Sequence, residues 1–99
     1  MARFCVYENA DGKGWLLDVQ ADLLNHLSTR VVVPLLPLKN APTPAKTLNP
    51  VFEIDGKAYS MVTQFMAAVP ATILKKPLAS LELRRNEITA ALDLLFQGF

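Results

Sequence analysis

The chain has 99 residues, with ten Lys plus Arg against nine Asp plus Glu and a formal net charge of +1; this length gives one domain and leaves too little surface for a second core. Hydrophobic residues make up 52% and charged residues 19%, which excludes a disordered chain, while the near-zero charge excludes a protein whose main work is gripping a phosphate backbone. A mean hydropathy of +0.25 on so short a chain predicts an apolar face buried in a homodimer.

In chain order, Arg3 to Tyr7 alternates Phe4 and Val6 with Cys5 and Tyr7 and reads as a strand, and the cluster Asn9, Asp11, Gly12 and Gly14 turns it back. Trp15 to Val19 is the expected partner strand. Gln20 to Thr29 is ambiguous, with Leu23, Leu24 and Leu27 at helical spacing in too short a stretch. Arg30 to Leu35 reads as a buried strand that Pro34 ends or places at an edge. Leu36 to Pro50 holds Pro37, Pro42, Pro44 and Pro50 without periodicity and reads as a long surface loop. Val51 to Ile54 and Lys57 to Met61 flank Asp55-Gly56, the signature of a type I′ hairpin. Tyr59 and Met61 share one face of that hairpin and fit either the core or a dimer seam. Further strands are expected over Val62 to Val69 and Thr72 to Leu74, broken by Pro70 and Pro77. Ile88, Ala91, Leu92 and Leu95 form one apolar stripe of a helix from about Leu81 to Phe96, with Ser80 or Glu82 at its start and Gly98 at its exit.

Catalytic templates find little here. His26 is the sole histidine and has no orienting carboxylate beside it, so a polar turn residue is the expectation. Asp18 and Asp22 read as solvated surface charge. Cys5, the sole cysteine, is flanked by Phe4 and Val6 and reads as an inert small hydrophobe, with no disulfide and no metal site. Lys75, Lys76, Arg84 and Arg85 are interleaved with Glu82 and Glu87 and read as a solvated helix face. No cofactor, no membrane-spanning run and no secretory leader are expected, which predicts a cytoplasmic protein. The end of the chain is unusual: Leu94, Leu95 and Phe96 run into Gln97, Gly98 and Phe99 with no polar tail, as suits an end that docks on its own core, pairs across a dimer or meets a partner.

Five ordered segments, FCVYENADGKG at Phe4 to Gly14, LDVQADLL at Leu17 to Leu24, RVVVPL at Arg30 to Leu35, NPVFEIDGKAYSMVTQFMAAVP at Asn49 to Pro70, and NEITAALDLLFQGF at Asn86 to Phe99, together make the chain resemble the CcdB family of bacterial toxins. The resemblance implies a mainly β fold with a C-terminal α-helix, a small SH3-like β-barrel of the CcdB/MazF toxin type, assembled as a homodimer. It also implies a non-enzymatic toxin of a type II toxin–antitoxin system that binds gyrase A, a component of the topoisomerase DNA gyrase, and is held by a cognate CcdA-like antitoxin. By the same resemblance, Leu23, Leu24, Phe96, Gln97, Gly98 and Phe99 are the gyrase-binding positions. Glu8, Asn9, Asp11, Lys13, Pro42, Thr43 and Pro44 are those offered to the antitoxin. No sequence-specific contact with nucleic acid and no membrane contact are implied. Gln97 stands where the family has a tryptophan. Two other readings follow: a degenerate relative that binds antitoxin but not gyrase, and an endoribonuclease on the same barrel, which the near-neutral charge and lone His26 disfavour.

Overall fold

A computed structural model describes residues 2–10 and 12–99. Among these, seven strands form one antiparallel sheet: β1 (Cys5–Glu8), β2 (Trp15–Asp18), β3 (Thr29–Pro37), β4 (Val51–Ile54), β5 (Lys57–Met61), β6 (Ala67–Pro70) and β7 (Ala79–Ser80), followed by α1 (Arg85–Gln97). The strand order is β4-β5-β3-β2-β1-β7, with β6 also paired to β3. The result is a curled half-barrel closed by the C-terminal helix, as the sequence leads one to expect.

The strands alternate faces, so the sheet has two cores. Val6, Leu17, Val33, Leu35, Phe52, Ile54, Tyr59 and Met61 meet Ile88 and Ala91 of α1 in the larger one, which assigns Tyr59 and Met61 to the interior of their own chain. Tyr7, Leu16, Val32 and Leu74 form the smaller core on the other face.

The hairpin at Asp55-Gly56 has the expected left-handed pair, with φ of 53° and 78°. Gly14, with φ +86°, sits where an added Cβ would lie 2.0 Å from the Leu35 carbonyl oxygen. Gly14→Ala is therefore expected to lower stability by about 1–3 kcal/mol, read as a shift in the urea midpoint; an unshifted midpoint would mean that β2 and β3 can separate there without cost.

Several boundaries differ from the sequence reading. Phe4 has φ of 71°, so the first strand starts at Cys5 rather than Arg3. Pro34 does not end β3. On one edge β3 pairs with β6 through Thr29–Val32 and with β5 through Leu35–Pro37, and Pro34 lies at the junction. Its carbonyl accepts from Val62 N–H at 3.0 Å, while its missing donor falls where no strand asks for one.

The chain must cross that same junction to pass from β5 to β6. Residues 63–65, expected as strand, therefore form a 3₁₀ turn, tied by Thr63 Oγ1 donating to the Leu48 carbonyl at 2.5 Å. Residues 71–73 are likewise a 3₁₀ turn rather than a strand. The two-residue strand β7 pairs Cys5 and Val6 with Ser80 and Ala79 and carries no periodic signal of its own.

The helix proper begins at Arg85 after a 3₁₀ turn at Glu82–Arg84, where the Ser80 hydroxyl accepts from the Glu82 N–H at 3.2 Å. Its stripe is shorter than the periodicity suggests: Ile88 and Ala91 are buried and Leu92 packs against them, but Leu95 is exposed. Gly98 ends it with φ of 83°, its N–H donating to the Leu94 carbonyl at 3.0 Å.

Candidate functional site

β2 and β3 run antiparallel, so the turn after Asp18 and the start of β3 share one end of the sheet with the C-terminal strand residues of β6. Against this end lies an apolar groove of about 480 Å³, lined by Val19, Leu24, Leu27, Val31, Met66, Leu92 and Phe96 among others. Leu24 and Phe96, singled out from the sequence, therefore share one groove. Leu23, on the 3₁₀ turn Asp22–Leu24, is 88% exposed, Phe96 69% and Phe99 84%. Gln97 ends α1, and Gly98 turns Phe99 away from the helix. Phe99 is not tucked against its own core. Sequence reasoning did not single out Val31, Met66 and Leu92 for this groove, because each also packs on the core and reads as an ordinary interior position.

The turn that displays Leu23 hangs from buried charges. Period two along β2 places Asp18 on the same face as Leu16, and along β3 places Arg30 on the same face as Val32. Both lie on the face of the smaller core, and both side chains are 0% exposed. Arg30 Nη2 and Nε donate to Asp18 Oδ2 at 2.7 and 2.9 Å. Asp18 Oδ1 accepts from Gln20 N–H at 3.0 Å. Asp18 is thus not the solvated charge expected of it. The available signal was its alternation with Leu16 in WLLD and that of Arg30 with Val32. Burial pushes the Asp18 carboxyl above its ordinary range, against the opposing pull of the Arg30 and Gln20 hydrogen bonds. Asp22 is exposed and accepts from Arg3 N–H at 2.8 Å.

The positions assigned to the antitoxin lie elsewhere. Glu8 and Lys13 flank the β1–β2 turn and are exposed; Asn9 accepts from Gly12 N–H through its carbonyl at 3.3 Å. Asp11 lies outside the described residues. Pro42, Thr43 and Pro44 are exposed in the loop after the 3₁₀ turn Leu38–Asn40. Gly14 abuts Leu35 and Leu36, which lead into that loop, so both segments leave one end of the sheet, opposite the groove. Glu8 also lines a depression of about 300 Å³ with Ala10, Ile73, Lys75 and Lys76.

The remaining candidates have ordinary surroundings. His26 is exposed in the turn. Cys5 is partly buried, and burial pushes its thiol up, with the Asp18 charge adding to the effect, which suits an inert side chain. Arg84 and Arg85 pair with Glu87 and Glu82 on the solvated side of the helix at 2.5 and 3.2 Å. Among the described residues, no helix is long and apolar enough to cross a membrane.

Comparison with known proteins places these features in context. A family model described as CcdB protein matches residues 3–98. Among solved structures, the chain is similar to an endoribonuclease in complex with its cognate antitoxin from mycobacterial species, with 18% sequence identity and a TM-score of 0.73. That match covers 94% of this chain and 91% of the other, and at this identity it speaks for the fold alone.

Proposed function

We propose, because this chain belongs to the CcdB family of toxins, that it binds gyrase A and inhibits or poisons DNA gyrase without a catalytic step of its own. The observation that carries this reading is the apolar groove that brings Leu24 of the turn after β2 together with Phe96 of α1. Leu24 and Phe96 line the groove, and Leu23 and Phe99, close to them in sequence, project into solvent. Apolar surface of this kind is costly to leave in water and suits a partner face. A second copy of the chain, paired through an apolar sheet face and the C-terminal helices, would offer two tails together. An antitoxin peptide that orders on contact would use the opposite end, at the 9–14 turn and the Pro42–Pro44 loop.

Gln97 is the departure that the experiment must address. A tryptophan there can stack on a guanidinium for roughly 0.5–2 kcal/mol, and an amide has no π face to do so. Pull-down with purified gyrase A and a supercoiling assay, run on the native protein and on Gln97→Trp, test the reading. The native protein is expected to bind and inhibit, and Gln97→Trp to bind roughly two- to thirtyfold more tightly. If neither binds, the gyrase reading is wrong, and the reading that Gln97 favours, a relative holding only its antitoxin, takes its place. Cleavage of RNA by the native protein would instead move the assignment to a ribonuclease.

A further inference from the structure

The 3₁₀ turn Asp22–Leu24 contains no buried residue. A single short turn of this kind has no stability of its own; Leu23 gives it no anchor, at 88% exposure, and Leu24 only lines the open groove. Yet its backbone is closed by three hydrogen bonds, Leu24 N–H to Ala21 O at 2.9 Å, Asn25 N–H to Asp22 O at 3.1 Å and Leu27 N–H to Leu24 O at 3.1 Å. Beside the groove lining of Leu24 and Leu27 and the Arg3 N–H bond to Asp22, a set of side-chain hydrogen bonds ties it to the sheet. Arg30 Nη1 donates to Asn25 Oδ1 at 2.5 Å and Nη2 to the Gln20 carbonyl at 3.4 Å. Gln20 Nε2 donates to the Leu24 carbonyl at 3.2 Å, while its Oε1 accepts from Val31 N–H at 3.1 Å.

We infer that Arg30, clamped by Asp18, is a positioning residue that holds the turn of residues 21–27 through Asn25 and Gln20 and thereby fixes the direction in which Leu23 is presented. The guanidinium is a rigid planar fork. Once Asp18 has taken Nε and Nη2, the remaining Nη1 has a fixed heading, and that heading meets Asn25. Gln20 works in parallel, bridging the β3 backbone at Val31 to the turn backbone at Leu24. A displayed leucine held in this way is ordered before any partner arrives, which removes from association the cost of immobilising it. The consequence for partner binding rests on the gyrase reading above; the clamp itself does not.

Asn25 offers the cleanest test, because it is exposed and can change without disturbing the Asp18–Arg30 pair. Amide hydrogen exchange of the full-length protein is measured by NMR for Asn25→Ala and Asn25→Asp, with thermal melting and gyrase A affinity alongside. In Asn25→Ala the amides of Leu24, Asn25 and Leu27 are expected to exchange at least about tenfold faster, while amides of β2 and β3 and the melting temperature stay near native values. Asn25→Asp supplies a carboxylate to the same Nη1 donor and should restore slow exchange. Gyrase A affinity should fall about three- to tenfold in Asn25→Ala and recover in Asn25→Asp. Unchanged exchange in Asn25→Ala, an increase spread over the whole sheet, or no recovery with aspartate would each overturn the inference. Native protein that fails to bind gyrase A, with the exchange pattern as expected, would support the clamp and overturn only the choice of target.

Discussion

Arg30→Met is expected to lower unfolding free energy by about 3–5 kcal/mol, the usual consequence of removing one partner from a buried ion pair. The substitution leaves Asp18 at 0% exposure with only the Gln20 N–H as a donor, so an ionised carboxylate must be desolvated without compensation. For a domain of this size the loss corresponds to a melting temperature lower by more than about 12 °C. The double variant Asp18→Leu/Arg30→Met should regain most of it, because two apolar side chains fill the same space without uncompensated charge. Taking both charges out of water offsets most of their attraction, so the pair is not a large net source of stability. The double variant should therefore fold well while losing the clamp on the Leu23 turn. Urea titrations of the two single variants and the double variant give the coupling energy. A loss below about 1 kcal/mol in Arg30→Met would mean that water reaches Asp18.

Removing Gln97, Gly98 and Phe99 is expected to have the opposite profile, abolishing gyrase A binding while leaving the melting temperature within a few degrees. Leu92 is the last helical side chain packed on the core, and Phe99 is 84% exposed. What the truncation removes from the fold is chiefly the Gly98 N–H bond to the Leu94 carbonyl, a terminal contribution of about 0.5 kcal/mol. What it removes from the partner face is an aromatic side chain, the type that dominates interfaces, and affinity should drop by more than about thirtyfold. Leu23→Asp should weaken binding as well, without unfolding, since Leu23 belongs to neither core. Calorimetric titration with gyrase A and thermal melts decide the matter. Unfolding on truncation would place Phe99 in the core, and retained binding would place the gyrase contact elsewhere on the molecule.

Leu24 and Phe96 were named through the resemblance carried by the five ordered motifs, and they share one groove because the turn after β2 and α1 meet at the same end of the sheet. Asp18 and Arg30 were not legible in the same way. A charge within a strand is ordinarily turned to water; alternation puts each on the face of Leu16 or Val32, and the pairing of β2 with β3 brings the two charges together there. Asn25 carries no signal of its own in the sequence, because its partner is a guanidinium five positions away that is itself held by Asp18.

Conformations that depend on adjacent residues follow from local chemistry alone. Asp55-Gly56 makes the hairpin because those two residues accept positive φ, Gly98 ends the helix for the same reason, and Ile88 and Ala91 face the core because the helical period puts them on one side. Long-range packing set the course of β3 through Pro34, the turns at residues 63–65 and 71–73, and the meeting of Asp18 with Arg30. Each of these depends on partners distant in sequence. Two strands share one edge of β3, so a proline without a donor fits at their junction and the chain must turn to cross it. Two buried charges are tolerable only because sheet register brings them within hydrogen-bonding distance. Residue preference acts over a few neighbours, whereas the accommodation of a missing donor or a buried charge is settled by whatever strand lies alongside.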